Sequence, residues 1–190
     1  MTIHAYIIRH GESEHNKYNY NNCLIGGRIL HTPLSETGIE QSILQSLYFK
    51  SSDTRFKYII APNALRNIQH ATILSELSDY FDDIVINNSF LEIDNGDAER
   101  RLKDEVFHDT TSRESFYEDP NYLVAPNAET YAKCALRGYN GLVDIIQPLI
   151  HYADNNFDHT DIAIVGSQKN GWGTVQCALG TTLSPYKARQ

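Results

Sequence analysis

Short apolar runs alternate with longer amphipathic segments along this chain. Four of the runs have the length and the composition of buried β-strands. They cover residues 3–9, 57–61, 84–87 and 161–165. Apolar side chains stand on both faces of these runs, which is typical of strands that helices cover on both sides. The pattern therefore predicts a sheet buried between two layers.

Between these runs, apolar residues recur at the three- and four-residue spacing of an amphipathic helix. The spacing predicts helices over residues 36–49, 64–80, 128–152 and 171–179. Ser35 stands where a side-chain oxygen would cap the first of these helices. Pro148 lies inside the third one and predicts a kink or an end there.

Strands that alternate with helices predict an α/β fold, here a three-layer α/β/α sandwich with a mostly parallel central sheet. The length of 190 residues suits a single domain over residues 1–190. Residues 94–126 interrupt the alternation, because they are charged, aromatic and poorly periodic. We expect this segment to be a helical or loop insertion that overhangs the sheet.

The first strand ends in a polar cluster, with Arg9, His10 and Gly11 in succession. In open α/β folds, ligands bind at the carboxyl ends of the strands, so this cluster is a candidate site. A histidine there could be a metal ligand, a general base, a nucleophile or a packed core residue. His15 and Glu12 stand nearby, but the chain has no HxH, HExxH or CxxC pattern, so we expect no metal.

A nucleophilic histidine best explains the arginine beside it. Neutral imidazole can attack phosphorus, and the guanidinium of Arg9 offers a planar fork of donors to phosphate oxygens. Gly11 lets the backbone approach an anion closely, and Asn16 adds a neutral donor. These residue types favour a site that handles phosphate.

Composition limits the partners. The 24 Asp and Glu residues exceed the 16 Lys and Arg residues, for a formal net charge of -8. A protein that binds nucleic acids or anionic membranes needs a positively charged surface, so we expect neither as a partner. The chain shows neither a membrane span nor a signal-peptide pattern. Its three cysteines, Cys23, Cys134 and Cys177, are widely spaced, which favours free thiols in a reducing cytoplasm.

The segment RHGESEHN, residues 9–16, resembles the signature of the histidine phosphatase superfamily, also called the phosphoglycerate mutase-like family. Further segments resemble that family in its own order along the chain. They are residues 31–42, 57–74, 90–99, 125–137 and 161–175. The resemblance spans nearly the whole chain and implies the phosphoglycerate mutase-like form of the sandwich.

The resemblance also implies roles for particular residues. His10 would take the phosphoryl group as a phosphohistidine, and Glu92 would protonate the leaving oxygen and then activate water. Asp94 and Glu99 are rival acids close to Glu92 in sequence. The side chains that would hold the phosphoryl oxygens are those of Arg9, Asn16 and Arg66. No metal or other cofactor is implied.

One position departs from the family pattern. The family usually has a second histidine after the last strand, and Ser167 stands there in this chain, followed by Gln168 and Lys169. Loss of such a donor would cost roughly 3 kcal/mol of transition-state stabilisation, or a factor of about a hundred in rate. Ser167 itself would then contact phosphate. Groups that could substitute or contact the substrate are Gln168, Lys169, His70, His31, His108 and Glu99.

These observations favour a phosphatase or phosphotransferase that acts on a small phosphorylated metabolite. The alternative, which rests on Ser167, is a noncatalytic or chemically diverged member that binds a phosphorylated ligand or a protein partner. A phosphoglycerate-type mutase is the least favoured reading, because such enzymes usually have a longer chain and a full set of pocket residues. The expected partner is a small phosphorylated substrate or phosphate, and a homodimer is left open.

Overall fold

The computed structural model describes residues 2–17, 24–78, 83–151 and 159–185. A sheet of four strands lies at its centre. The strands are β1 (Thr2–Arg9), β2 (Phe56–Ala61), β3 (Val85–Ile86) and β4 (His159–Gly166). Their order is β1-β4-β2-β3, and each neighbouring pair is parallel. All four predicted strands are confirmed, each within two residues of the predicted bounds.

Helices connect the strands and occupy the predicted segments. They are α1 (Glu36–Ser51), α2 (Leu65–Leu77), α3 (Lys103–Val106), α4 (Thr110–Glu118), α5 (Tyr131–His151) and α6 (Gln168–Ala178). The Oγ of Ser35 accepts a hydrogen bond from the Gly38 amide at 3.0 Å, which confirms the predicted cap. Pro148 lies within α5 and does not end it, since the helix continues to His151. The predicted helical residues 79–80 and 152 lie outside the described residues, as does Cys23.

Helices cover both faces of the sheet, which confirms the three-layer sandwich. On one face, α1 and α2 pack Phe49 and Leu74 against Ile59 and Val165. On the other face, α5 packs Leu142 against Ile60 and Ile164, and α6 lies beside α5 and β1. In the part of the chain that the structure describes, no helix is both long enough and apolar enough to span a membrane.

The sheet brings two chain segments together at one edge. Arg9, the last residue of β1, pairs with Gly166, the last residue of β4. The amide of His10 then donates to the Gly166 carbonyl at 3.1 Å. Because parallel strands end at the same edge, His10 and Ser167 follow their strands side by side.

The segment 94–126 forms its own small cluster above this edge. It contains a 3-10 turn at Gly96–Ala98 followed by α3 and α4. Ala98 and Phe107 pack against Ile25, and the Ile25 amide donates to the Arg101 carbonyl at 2.8 Å. The cluster therefore joins the loop after residue 24 to the segment before α5.

Close packing of α5 on α6 yields a stability prediction. A Cβ at Gly138 would lie 2.1 Å from the Thr174 Oγ1, whereas a Cβ at Gly171 would meet only the tip of Ile7, at 3.0 Å. We expect Gly138→Ala to lower the free energy of unfolding by about 2 kcal/mol, because overpacking forces the helices apart. Gly171→Ala is the matched control and should cost much less. Urea denaturation measures both variants, and equal losses would contradict this account of the contact.

Candidate active site

A cavity of about 210 Å³ lies where β1 and β4 end. Most of the side chains predicted from the sequence meet in its wall, although they come from four separate segments. They are Arg9, His10, Asn16, Arg66, Glu92, Gln168 and Lys169. The volume is below the usual range for drug-sized ligands, so the cavity suits a compact molecule.

His10 is held in one orientation by two hydrogen-bond partners. Its Nδ1 lies 2.6 Å from the Gly11 carbonyl, which can only accept, so this nitrogen carries the hydrogen. Its Nε2 accepts from the Nε of Arg66 at 3.1 Å. The network thus assigns the tautomer in which Nε2 keeps a lone pair. Nε2 is the nitrogen on the imidazole that can attack an electrophile.

The surroundings of His10 keep it neutral. Burial lowers its pKa from 6.5 to about 3, and the positive charges of Arg66 and Arg9 act in the same direction. The hydrogen bond to the Gly11 carbonyl opposes this shift without cancelling it. Near neutral pH, therefore, the Nε2 lone pair is available.

Arg66 is fixed before any ligand arrives. It lies in the first turn of α2 and is 5% exposed. Its Nη1 donates to the Ile29 carbonyl, and its Nη2 donates to the Gly27 carbonyl at 3.2 Å. The loop before α1 therefore determines where the guanidinium points.

Two further donors border the cavity. Arg9 lies at the end of β1 with its side chain exposed at the wall. Asn16 uses its Oδ1 to accept from Ser13, at 3.2 Å from the amide and 2.7 Å from the hydroxyl. Because Oδ1 is occupied, the Nδ2 amide is the group that Asn16 can offer to an anion.

Glu92 is the carboxylate in the cavity wall. Its Oε1 accepts from the Ile93 amide at 2.9 Å, and its Oε2 accepts from the Lys169 amide at 3.3 Å. The second bond attaches the carboxylate to the first turn of α6. Both contacts orient the carboxylate at the cavity.

The rival acids lie elsewhere. The Oε1 of Glu99 accepts from the Arg28 amide at 2.6 Å and from the Asn95 amide at 3.3 Å, and the side chain is not part of the cavity wall. Burial raises the pKa of Glu99. Asp94 forms an ion pair with Arg28 at 3.4 Å, also outside the wall.

Ser167 brings no imidazole to the site. It is the N-cap residue of α6 and is only 2% exposed. Its Oγ is buried, has no hydrogen-bond partner among the described residues, and does not line the cavity. The neighbouring Lys169 is in the wall, with its Nζ 3.9 Å from the ring centre of Phe116.

The other histidines weighed as substitutes do not line this cavity. His70 is 1% exposed, and its Nδ1 accepts from the Gly11 amide at 3.2 Å. Burial lowers the pKa of His70 to about 4, so it is neutral as well. It lies behind the Gly11 peptide and supports the backbone that orients His10. His31 and His108 are exposed and lie outside the wall.

Sequence reasoning missed several wall residues. His15 was considered only as a metal ligand, yet it lines the cavity from within the segment 9–16 that was already singled out. Lys103, Phe116 and Tyr117 come from the 94–126 segment, whose irregular pattern carried no signal for individual side chains. Among the described residues, one carboxylate lines the wall, that of Glu92. The cationic side chains of this wall are Arg9, Arg66, Lys103 and Lys169.

Comparison with known proteins agrees with this geometry. The family model of the histidine phosphatase superfamily (branch 1) matches residues 5–186. Fructose-2,6-bisphosphatase TIGAR B of Danio rerio is 31% identical over 108 residues, which are 56% of this chain. The match spans 40% of the length of that relative.

Solved structures share the fold. A mycobacterial glucosyl-3-phosphoglycerate phosphatase complexed with VO3 has a TM-score of 0.76 at 16% identity, over 96% of this chain and 84% of that one. A phosphoserine phosphatase mutant from Entamoeba histolytica, in complex with phosphoserine, has a TM-score of 0.75 at 18% identity, over 99% of this chain and 84% of that one.

The neutral state of His10 predicts a pH dependence of stability. The pKa of His10 is 6.5 unperturbed and about 3 in the folded protein. Below pH 6.5 the unfolded chain therefore binds a proton that the folded chain does not, and stability falls as the pH falls through this window. We expect wild type to lose about 2 kcal/mol more between pH 7.5 and 5 than His10→Asn does. Urea denaturation at the two pH values measures this difference, and equal losses would contradict a neutral, buried imidazole.

Proposed function

The chain belongs to the histidine phosphatase superfamily, and from this premise we propose that it is a metal-independent phosphatase or phosphotransferase. Its substrate is a small phosphorylated metabolite, and the reaction passes through a phosphohistidine at His10. The observation that carries the proposal is the Nε2 lone pair of His10, held beside the guanidinium of Arg66 at 3.1 Å.

In the first step, phosphate oxygens of the substrate bind to Arg9, Arg66 and Asn16. An anionic oxygen competes with His10 for the Arg66 donor, so binding itself frees the Nε2 lone pair. Nε2 then forms a bond to phosphorus while the phosphorus bond to the leaving oxygen breaks. Glu92 donates its proton to that oxygen, and the arginines stabilise the charge spread over the phosphoryl group.

In the second step, water replaces the leaving alcohol. Glu92, now a carboxylate, takes a proton from the water, whose oxygen bonds to phosphorus as the bond to Nε2 breaks. Inorganic phosphate leaves, His10 returns to its neutral state, and Glu92 is protonated again. If an acceptor alcohol takes the place of water, the same steps transfer the phosphoryl group.

The volume and the charge of the cavity favour a compact, anionic substrate. Its volume of about 210 Å³ limits the size of the substrate, and its described lining has four cationic side chains and one carboxylate. The proteins that this chain resembles include a fructose-2,6-bisphosphatase and a glucosyl-3-phosphoglycerate phosphatase, which supports a sugar phosphate or a related acid as the substrate. A cytoplasmic location and a single domain over residues 1–190 stay predictions.

Phosphatase assays without metal test the proposal. With p-nitrophenyl phosphate and a panel of sugar and nucleotide phosphates, we expect turnover by wild type and none by His10→Asn. Glu92→Gln should lose at least about a hundredfold in kcat, since it removes the acid and base. Glu99→Gln is the matched control, because it makes the same replacement at a carboxylate outside the cavity wall, and its kcat should fall much less.

Three results would contradict the proposal. They are undiminished turnover in His10→Asn, a larger loss in Glu99→Gln than in Glu92→Gln, and no phosphate trapped on wild-type protein when the reaction is quenched in alkaline detergent, in which a phosphohistidine is stable. Urea denaturation of each variant shows whether a loss of activity reflects a loss of folding.

A second candidate function rests on Ser167. Its buried hydroxyl cannot supply the positive charge of an imidazolium, so the chain could bind a phosphorylated ligand or a protein partner without turning it over. Binding of phosphate or vanadate by a protein that shows no turnover would favour this candidate. A phosphoglycerate-type mutase remains the least favoured reading.

A histidine at position 167 tests how far the presence of Ser167 lowers the catalytic rate. If the missing side chain limits the rate, Ser167→His should raise kcat by up to about a hundredfold, because it adds a donor to the transferring phosphoryl group. Ser167→Ala is the control and should leave kcat nearly unchanged, since the hydroxyl lies outside the cavity wall. A folded Ser167→His protein with an unchanged rate would contradict this explanation.

A further inference from the structure

Three metal-binding side chains meet at the amino ends of β1 and β4, at the opposite edge of the sheet from the cavity. His4 lies in β1, and His159 and Asp161 lie in β4. In the parallel register, His4 pairs with Asp161, and His159 pairs with Thr2. The positions 159 and 161 share one face of β4, because side chains alternate along a strand.

The three side chains converge on one point. The Nδ1 of His4 lies 3.2 Å from the Asp161 Oδ1, and the Nε2 of His159 lies 2.7 Å from the same oxygen. All three ligand atoms lie within 4.8 Å of one another. The two imidazole rings are 4.3 Å apart and inclined at 71°, so each directs a nitrogen at the carboxylate without stacking on the other.

Burial distinguishes this cluster from an ordinary surface ion pair. The Asp161 side chain is 9% exposed, whereas the side chains of His4 and His159 are 51% and 47% exposed. The carboxylate is therefore held rigidly within the sheet while the imidazoles open to solvent. Because the two imidazoles are exposed, an ion can reach the fixed carboxylate from solvent. Three protein ligands also leave a coordination position for water.

We propose that His4, His159 and Asp161 bind one divalent transition-metal ion of the zinc type. Imidazole nitrogen and carboxylate oxygen are zinc ligands, at about 2.0–2.2 Å from the metal. Two such ligands in a tetrahedral site lie about 3.3 Å apart. The 3.2 Å contact already meets this spacing. The 2.7 Å contact needs to widen slightly, which the exposed His159 side chain allows.

The ion would join β1 to β4 and stabilise the fold without entering the chemistry. His10 lies six positions after His4, just beyond the end of β1, which is roughly 20 Å at the rise of a strand. Binding should thus raise the temperature of unfolding, because an ion that binds only the folded chain shifts the equilibrium toward it. The site is independent of the proposed phosphatase activity.

Calorimetric titration with Zn²⁺ tests the site on the full chain, free of any histidine tag. We expect one ion per wild-type chain and at least about tenfold weaker binding in His159→Ala and Asp161→Asn. His108→Ala, which removes an exposed imidazole elsewhere, and His10→Ala should bind as wild type does. Thermal unfolding with and without Zn²⁺ should show a rise for wild type and little change for Asp161→Asn, which keeps the shape of the side chain.

Several outcomes would overturn the proposal. Wild type that binds no Zn²⁺ at millimolar concentration would show that the cluster is only a set of close contacts between two imidazoles and a carboxylate. Equal binding by wild type and Asp161→Asn would place the ion elsewhere, and loss of binding in His10→Ala would place it in the cavity.

Discussion

The hydrogen bond from Arg66 to the Nε2 of His10 joins the segments from which the candidate site is built. His10 follows β1, Arg66 begins α2, and the same guanidinium holds the carbonyls of Gly27 and Ile29. A single buried cation thus positions a strand end, a helix and a loop. It also keeps the imidazole neutral, because its charge opposes protonation of His10. The geometry of the candidate site and the neutral state of His10 therefore have the same source.

The charge of the cavity opposes that of the whole protein. The chain carries a formal net charge of -8, whereas the residues of the cavity wall that the structure describes present four cationic side chains and one carboxylate. Negative charge on the rest of the surface discourages polyanions, while the local positive field favours a small anion. Lys103 and Phe116 show how the 94–126 segment contributes to this field and to the shape of the wall.

The start of α6 shows how the site is arranged around its missing histidine. Ser167 turns a small hydroxyl inward, and the Lys169 amide in the first turn of the helix donates to Glu92. The N-terminus of the helix and the Lys169 side chain provide positive potential near the position where an imidazolium would stand. If these groups stabilise the transferring phosphoryl group well enough, the chain turns its substrate over. If they do not, the chain only binds a phosphorylated ligand, so this stabilisation distinguishes the two candidate functions.

The sequence by itself determined the order of strands and helices, because apolar periodicity reports which faces are buried. It also placed Arg9 and His10 at a strand end, where α/β sheets bind ligands. Only the tertiary structure decided that Glu92, rather than Glu99, reaches the cavity, that Lys103 lines it, and that His4 meets Asp161. Such contacts join residues that are distant in the chain. They depend on packing between elements, which no local pattern of residues encodes.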